Sequence, residues 1–110
     1  MAYDIKIKKI NMSLNVHNVH FDADEKLVKL IEEKSKKLYN FNDTITSVDV
    51  YLKLENTSEF VKDKIVEIKI NVLKDILFTK ESSKTFEESF AMALDSSIKQ
   101  LKKKKEILKG

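Results

Sequence analysis

The sequence predicts an α+β fold in the order β-α-β-β-β-α: a four-stranded sheet with two helices packed on one face. Three observations carry this. Apolar residues recur at helical spacing in two stretches, 24–39 and 85–109. In four other stretches they alternate with polar residues, the period of a half-buried strand. No proline occurs, and the lone glycine is Gly110, so nothing interrupts either periodicity. Each strand shows a single apolar face, so both helices must cover the same side of the sheet.

Met1–Asn11 reads as an N-terminal extension, in which Ile5 and Ile7 alternate with Lys6 and Lys8 before the pattern breaks at Lys9. Residues 12–110 form a single domain. In Met12–His17, Met12, Leu14 and Val16 alternate with Ser13, Asn15 and His17, giving the first strand. Asp22-Ala-Asp-Glu25 then starts a helix, with Asp24 as cap and acids in the first turn to suit the helix dipole. Leu27, Leu30, Ile31 and Leu38 follow at helical spacing, which predicts a first helix from Asp24 to about Tyr39. Asn40-Phe-Asn-Asp43 is the turn out of it.

Val48, Val50, Leu52 and Leu54 alternate with Asp49, Tyr51, Lys53 and Glu55, the clearest strand in the chain. Glu55–Asp63 reads as a loop. Val66, Ile68, Ile70 and Val72 mark the third strand. Lys74-Asp75 reads as a short turn, and Ile76 to about Glu81 as the fourth strand. Thr85-Phe-Glu-Glu88 is a capping box, in which the Thr85 hydroxyl accepts from the Glu88 amide and the Glu88 carboxylate reaches back to the Thr85 amide. The second helix runs on to about Lys109, on Phe86, Phe90, Ala93, Leu94, Ile98, Leu101 and Leu108. With the first helix as crossover, the first two strands are parallel, and strands two to four form a meander.

At 110 residues the chain can bury roughly two-thirds of its unfolded surface, enough for one core without staples. A content of 42% hydrophobic and 35% charged residues is a globular profile. Cysteine is absent, which rules out disulfides, thiolate nucleophiles and cysteine zinc sites. The N-terminus has no apolar run of signal-peptide type, and no segment has the length of a membrane span. The expected location is the cytoplasm.

Catalysis is poorly supplied. His17 and His20 stand three apart without an obvious third ligand and read as polar loop residues, so no metal site is expected. No glycine-rich loop is present to cradle a nucleotide phosphate, and no carboxylate pair stands out for acid–base work. The expectation is a protein that is not an enzyme, with no cofactor and no small-molecule substrate.

Charge is distributed unevenly. From Lys99 to Gly110 the chain has six lysines against Glu106, a local net of +5, although the whole chain nets only +3. A lysine or two near a helix C-terminus favours the dipole. Four in a row repel one another unless an anion neutralises them, so the run reads as a polyanion-binding surface. The first helix adds Lys26, Lys29, Lys34, Lys36 and Lys37, interleaved with Glu25, Glu32 and Glu33, as on an ordinary solvated helix face. Lys34 is peculiar: seven residues after Leu27 and four before Leu38, it falls near the apolar stripe. Its stem is expected along the core edge, with the ammonium beside the second helix. Every basic residue is Lys, which binds phosphate as a point charge and cannot grip a guanine edge bidentately. Nucleic-acid contact here would read backbone and shape. Tyr51 alone is placed to stack a base on the outer sheet face, where Asp49 and Glu55 oppose RNA.

Several segments together resemble the ribosome hibernation promoting factor family, also called ribosome-associated inhibitor or sigma-54 modulation protein. They are Leu14-Asn-Val16, Val19-His-Phe-Asp-Ala-Asp-Glu-Lys-Leu27, Glu33-Lys-Ser-Lys-Lys-Leu38, Ile45-Thr-Ser-Val-Asp-Val-Tyr-Leu-Lys-Leu-Glu55, Thr85-Phe-Glu-Glu88 and Lys99-Gln-Leu-Lys-Lys-Lys-Lys105. The resemblance covers about residues 12–109. It implies a fold similar to double-stranded-RNA-binding domains. It also implies a stress or stationary-phase factor that occupies the mRNA and tRNA channel of the small ribosomal subunit and silences translation. The implied partners are that subunit and its rRNA, with no membrane, and the protein is expected to be monomeric off the ribosome.

Carried over by position, the family's basic sites fall on Lys34, Lys37, Lys99, Lys103 and Lys105, and Lys102 strengthens the patch. Lys99 stands where many relatives have Arg, and Asn18 where many have Gly. Because the sequence ends after the second helix, a short-type member without the dimerisation domain of long members is expected. The alternatives are a generic double-stranded-RNA-binding module, opposed by the acidic start of the second helix, and a protein-interaction domain, such as a homodimer through the sheet edge.

Overall fold

The computed structural model describes residues 13–19, 23–56 and 62–109, with side chains described at all of these except 19, 56, 62 and 105–109. The expected N-terminal extension, Met12 and His20 lie outside the described residues. The element order is β1 (Ser13–Val19), α1 (Glu25–Ser35), a 3₁₀ turn (Lys36–Asn40), β2 (Ser47–Asn56), β3 (Lys62–Val72), β4 (Asp75–Ser83) and α2 (Phe86–Lys109). The sheet order is β1-β2-β3-β4, with β1 parallel to β2 and the other two pairs antiparallel. The α+β class and the strand order are as the sequence predicts.

Five boundaries differ from the sequence expectation. β1 runs to Val19, so His17 lies within a strand and not in a loop. The first helix leaves α geometry at Ser35 and tightens into the 3₁₀ turn, where Tyr39 is tied to β1 by a hydrogen bond from its hydroxyl to the Ser13 carbonyl (2.6 Å). Both ends of the expected loop Glu55–Asp63 are strand, because Glu55 pairs with Asp63 and Asn56 with Lys62, while residues 57–61 lie outside the described residues. Ladder hydrogen bonds extend these strands past the point where side-chain alternation stops. The β3–β4 turn is Leu73-Lys74, one residue earlier than expected, because Val72 and Asp75 are already paired. Lys74 takes the left-handed conformation (φ 66°), at a cost of about 1–2 kcal/mol for a residue with a Cβ. β4 extends to Ser83.

The capping residues act locally. Asp24 has extended backbone, and its carboxylate accepts from the Lys26 amide (3.2 Å). Thr85 Oγ1 accepts from the Glu88 amide (3.1 Å). The Thr85 amide donates to Ser83 Oγ (3.3 Å), so a serine holds the place expected for the Glu88 carboxylate.

One core lies between the sheet and the helices. Val48, Val50 and Leu52 of β2 and Val66, Ile68 and Ile70 of β3 meet Leu27, Ile31 and Leu38 from the α1 side and Phe86, Phe90, Ala93 and Leu101 from α2. Each such aliphatic or aromatic side chain contributes about 1.5–3 kcal/mol on burial. Two serines share the buried face of α2. Ser97 and Thr79 are linked at 3.1 Å, and Ser89 donates to the Lys64 carbonyl (2.6 Å). Small polar residues at these positions hold the helix close to β3 and β4 with their hydroxyls satisfied. The opposite face of the sheet carries no element among the described residues.

Candidate RNA-binding surface

The six lysines expected to bind RNA are spread over two elements. Lys34 is exposed near the end of α1, Lys37 is exposed in the 3₁₀ turn, and Lys99, Lys102 and Lys103 are exposed on α2. Lys105 also lies in α2, but its side chain is outside those described. Lys34 lies as its position in the stripe suggests. It lines a groove of about 340 Å³ between the two helices, with Leu30 on its own side and Phe90, Leu94, Asp95 and Ile98 on α2. An apolar floor supports the butyl stem while the ammonium stays near water.

The basic end of α2 is not a uniform ridge. Lys99 Nζ is 3.1 Å from Asp95 one turn back, with both side chains well exposed, a pair worth about 0.3–0.5 kcal/mol. Lys102 Nζ stands 5.6 Å above the ring of Phe41, which brings the α2 terminus against the segment that follows Lys37. Lys104 turns toward the sheet and pairs with Asp75 at the start of β4. Hydrogen bonding from Lys104, aided by the Ile76 amide, holds the Asp75 carboxyl below the usual carboxylate range. Its stabilising contribution is therefore present above that range and fades as pH falls through the folded-state value. Lys34, Lys37 and Lys103 make no ion pair among the described residues.

Two further expectations meet the geometry. Tyr51 is already covered: the His17 ring stacks on it (centroids 4.6 Å apart, 14° between planes), and Lys53 Nζ is 6.0 Å from its centroid. It is not an open platform for a base. His17 Nε2 is 3.0 Å from Asp49 Oδ1, and no group of three or more His, Cys, Asp or Glu among the described residues is arranged to hold a metal. The edge of β4 is also partly closed, because the Ile76 amide donates to its own neighbour Asp75 (2.8 Å) and the Phe78 carbonyl accepts from Gln100 (3.3 Å). These two bonds oppose homodimerisation through that edge.

The profile of the family described as sigma 54 modulation protein / S30EA ribosomal protein matches residues 14–109, nearly the whole chain. The chain belongs to this family. Its fold is shared with a ribosomal subunit interface protein from Coxiella burnetii, at 16% identity and a TM-score of 0.67, over 86% of this chain and 96% of that one. It is shared also with the N-terminal domain of Protein Y from Thermus thermophilus, at 14% identity and a TM-score of 0.63, over 84% of this chain and 97% of that one. No curated protein matches the sequence. The family's description is that of a ribosome-associated protein.

The sequence did not reveal the partners of the lysines. Phe41 under Lys102 and Asp75 under Lys104 come from segments 61 and 29 residues away. No local signal could have found either. Asp95, four residues before Lys99, was legible as an i,i+4 pair.

Proposed function

We propose that this protein is a hibernation factor of the cytoplasm that binds the small ribosomal subunit, occupies its mRNA and tRNA channel during stress or stationary phase, and silences translation without any reaction. Family membership over residues 14–109 carries the reading. The lysine geometry supports it: Lys34 and Lys37 from one element and Lys99, Lys102 and Lys103 from another are exposed on the helical layer. Point-charge contacts of this kind suit rRNA phosphates held in a fixed shape. The acidic start of α2, with Glu87 and Glu88 exposed, opposes a generic duplex-RNA module, which would place cations there.

The test is co-sedimentation with purified small subunits. Lys99, Lys102, Lys103 and Lys105 are changed together to Glu, leaving Lys104 on Asp75. Binding should fall below detection while the circular dichroism stays that of the folded chain, with melting lowered only by the lost Lys99–Asp95 and Lys102–Phe41 contacts and the acids at the helix end. A folded quadruple variant that binds as well as the wild type would sink the proposal. In parallel, saturating wild-type protein should stop translation by the treated ribosomes.

A further inference from the structure

The β3–β4 hairpin carries a surface that the proposed RNA contact leaves unused. Leu73, Ile76 and Phe78 are 63%, 55% and 51% exposed, the large hydrophobic side chains most open to solvent among the described residues. Leu73 is in the turn. Ile76 and Phe78 alternate with buried Thr79, so they project from the sheet face away from the helices. Three lysines rim them: Lys69 directly opposite Phe78 in register, Lys80 two residues along the same face, and Lys74 beside Leu73. None of the three forms an ion pair among the described residues.

Nearby acids are already engaged. Asp75 holds Lys104. Glu67, opposite Lys80, pairs with Lys53 at 3.0 Å. Asp49, opposite Lys69, is 3.0 Å from His17 and 3.4 Å from the Asn15 amide. What remains is an apolar patch beside three lysines that form no ion pair among the described residues, with each neighbouring acid already bonded to another side chain.

We propose that this patch docks an acidic–apolar segment of a partner protein, in which aliphatic or aromatic anchors are flanked by Asp or Glu. Charge complementarity selects this occupant. A second copy of the chain packed on the same patch by two-fold symmetry would set the three lysines against their counterparts. Strand addition is opposed by the bonds already made at Ile76 and Phe78. RNA is the weaker fit, because two of the three exposed apolar side chains, Leu73 and Ile76, are aliphatic and Phe78 alone offers a stacking plane. The patch and the helical lysines lie on opposite sides of the sheet, so RNA and the acidic segment can be held together.

The experiment is an amide chemical-shift titration of the ¹⁵N-labelled full chain. Its probes are a short peptide of Leu and Phe alternating with Asp and Glu, the same peptide with Lys in place of the acids, and a single-stranded RNA oligonucleotide. The acidic peptide should move resonances of residues 69–80, and the other two should not. The double variant Phe78→Ser/Lys69→Glu should weaken the peptide about tenfold or more while keeping a dispersed spectrum and full co-sedimentation with small subunits. The proposal is overturned if the acidic peptide moves only α2, or moves nothing at millimolar concentration. It is overturned equally if RNA moves the hairpin, or if the chain dimerises in solution and Phe78→Ser abolishes the dimer.

Discussion

The hydroxyl of Ser35 is fully buried and has no hydrogen-bond partner among the described residues. It occupies the core stripe of α1, between Ile31 and Leu38, where an apolar residue would fit the period. An unsatisfied buried hydroxyl costs about 1–3 kcal/mol, and removing the oxygen leaves a void smaller than a methyl group. Ser35→Ala should therefore leave stability unchanged or raise it by about 1 kcal/mol, read as the midpoint of urea unfolding. A loss of more than that would mean that Ser35 has a partner in solution. Individual lysines show the opposite situation: their identity was legible, but their use was not. Lys102, Lys103 and Lys104 are consecutive in the chain, yet one lies over Phe41, one makes no ion pair and one is committed to Asp75. The helical turn of 100° per residue sends neighbours in different directions, and only the packed molecule decides what each one meets.

Among the elements, the strands and α2 follow from their periodicities, and the first helix shows what periodicity misses. Leu27, Ile31 and Leu38 mark the stripe, but nothing in their spacing marks the change to 3₁₀ geometry at Lys36. The turn is held by Tyr39, whose hydroxyl donates to Ser13 on β1. Burial raises the Tyr39 phenol above its usual range, and the negative charge of Asp49 adds to the shift. A raised acid binds its proton more tightly in the folded state. Its contribution is complete below the ordinary phenol range and is lost as pH climbs through the folded value. Stability should then fall above about pH 10, and Tyr39→Phe should flatten that fall. The variant should also be about 1 kcal/mol less stable at neutral pH, for the lost hydrogen bond. Denaturant melts of both proteins on either side of the phenol range check this, and parallel alkaline curves would remove Tyr39 as the cause.

Over the whole molecule, charge is sorted by layer. The helices expose the candidate RNA lysines, while the open sheet face pairs Asp49 with His17 and Glu67 with Lys53. If Lys34, Lys37, Lys99, Lys102, Lys103 and Lys105 each meet a phosphate, log Kobs should fall with log salt at a slope of about −4 to −5. Lys103→Ala should reduce that slope by about 0.7–0.9, one phosphate's share, and Lys104→Ala should leave it unchanged because Lys104 serves the fold. Binding to small subunits across a salt series measures both. A Lys104 effect as large as that of Lys103 would place the RNA on a wider face of α2 than proposed.

From its residues alone, the chain determined the order and type of its elements, the caps at Asp24 and Thr85, the core-facing residues of β2 and β3 and the cationic end of α2. All of these are set by contacts within a few residues, or by a period that burial must respect. The tertiary structure decided what depended on distant partners: the extension of β2 and β3 by pairing, the 3₁₀ turn under Tyr39, the serines that seat α2, and the division of the lysines into free and engaged. It also placed Ile76 and Phe78 on the open face of an outer strand. The expectation of a single apolar face per strand fails there: Leu77 and Thr79 face the core, and Ile76 and Phe78 point to the side that no helix among the described residues covers.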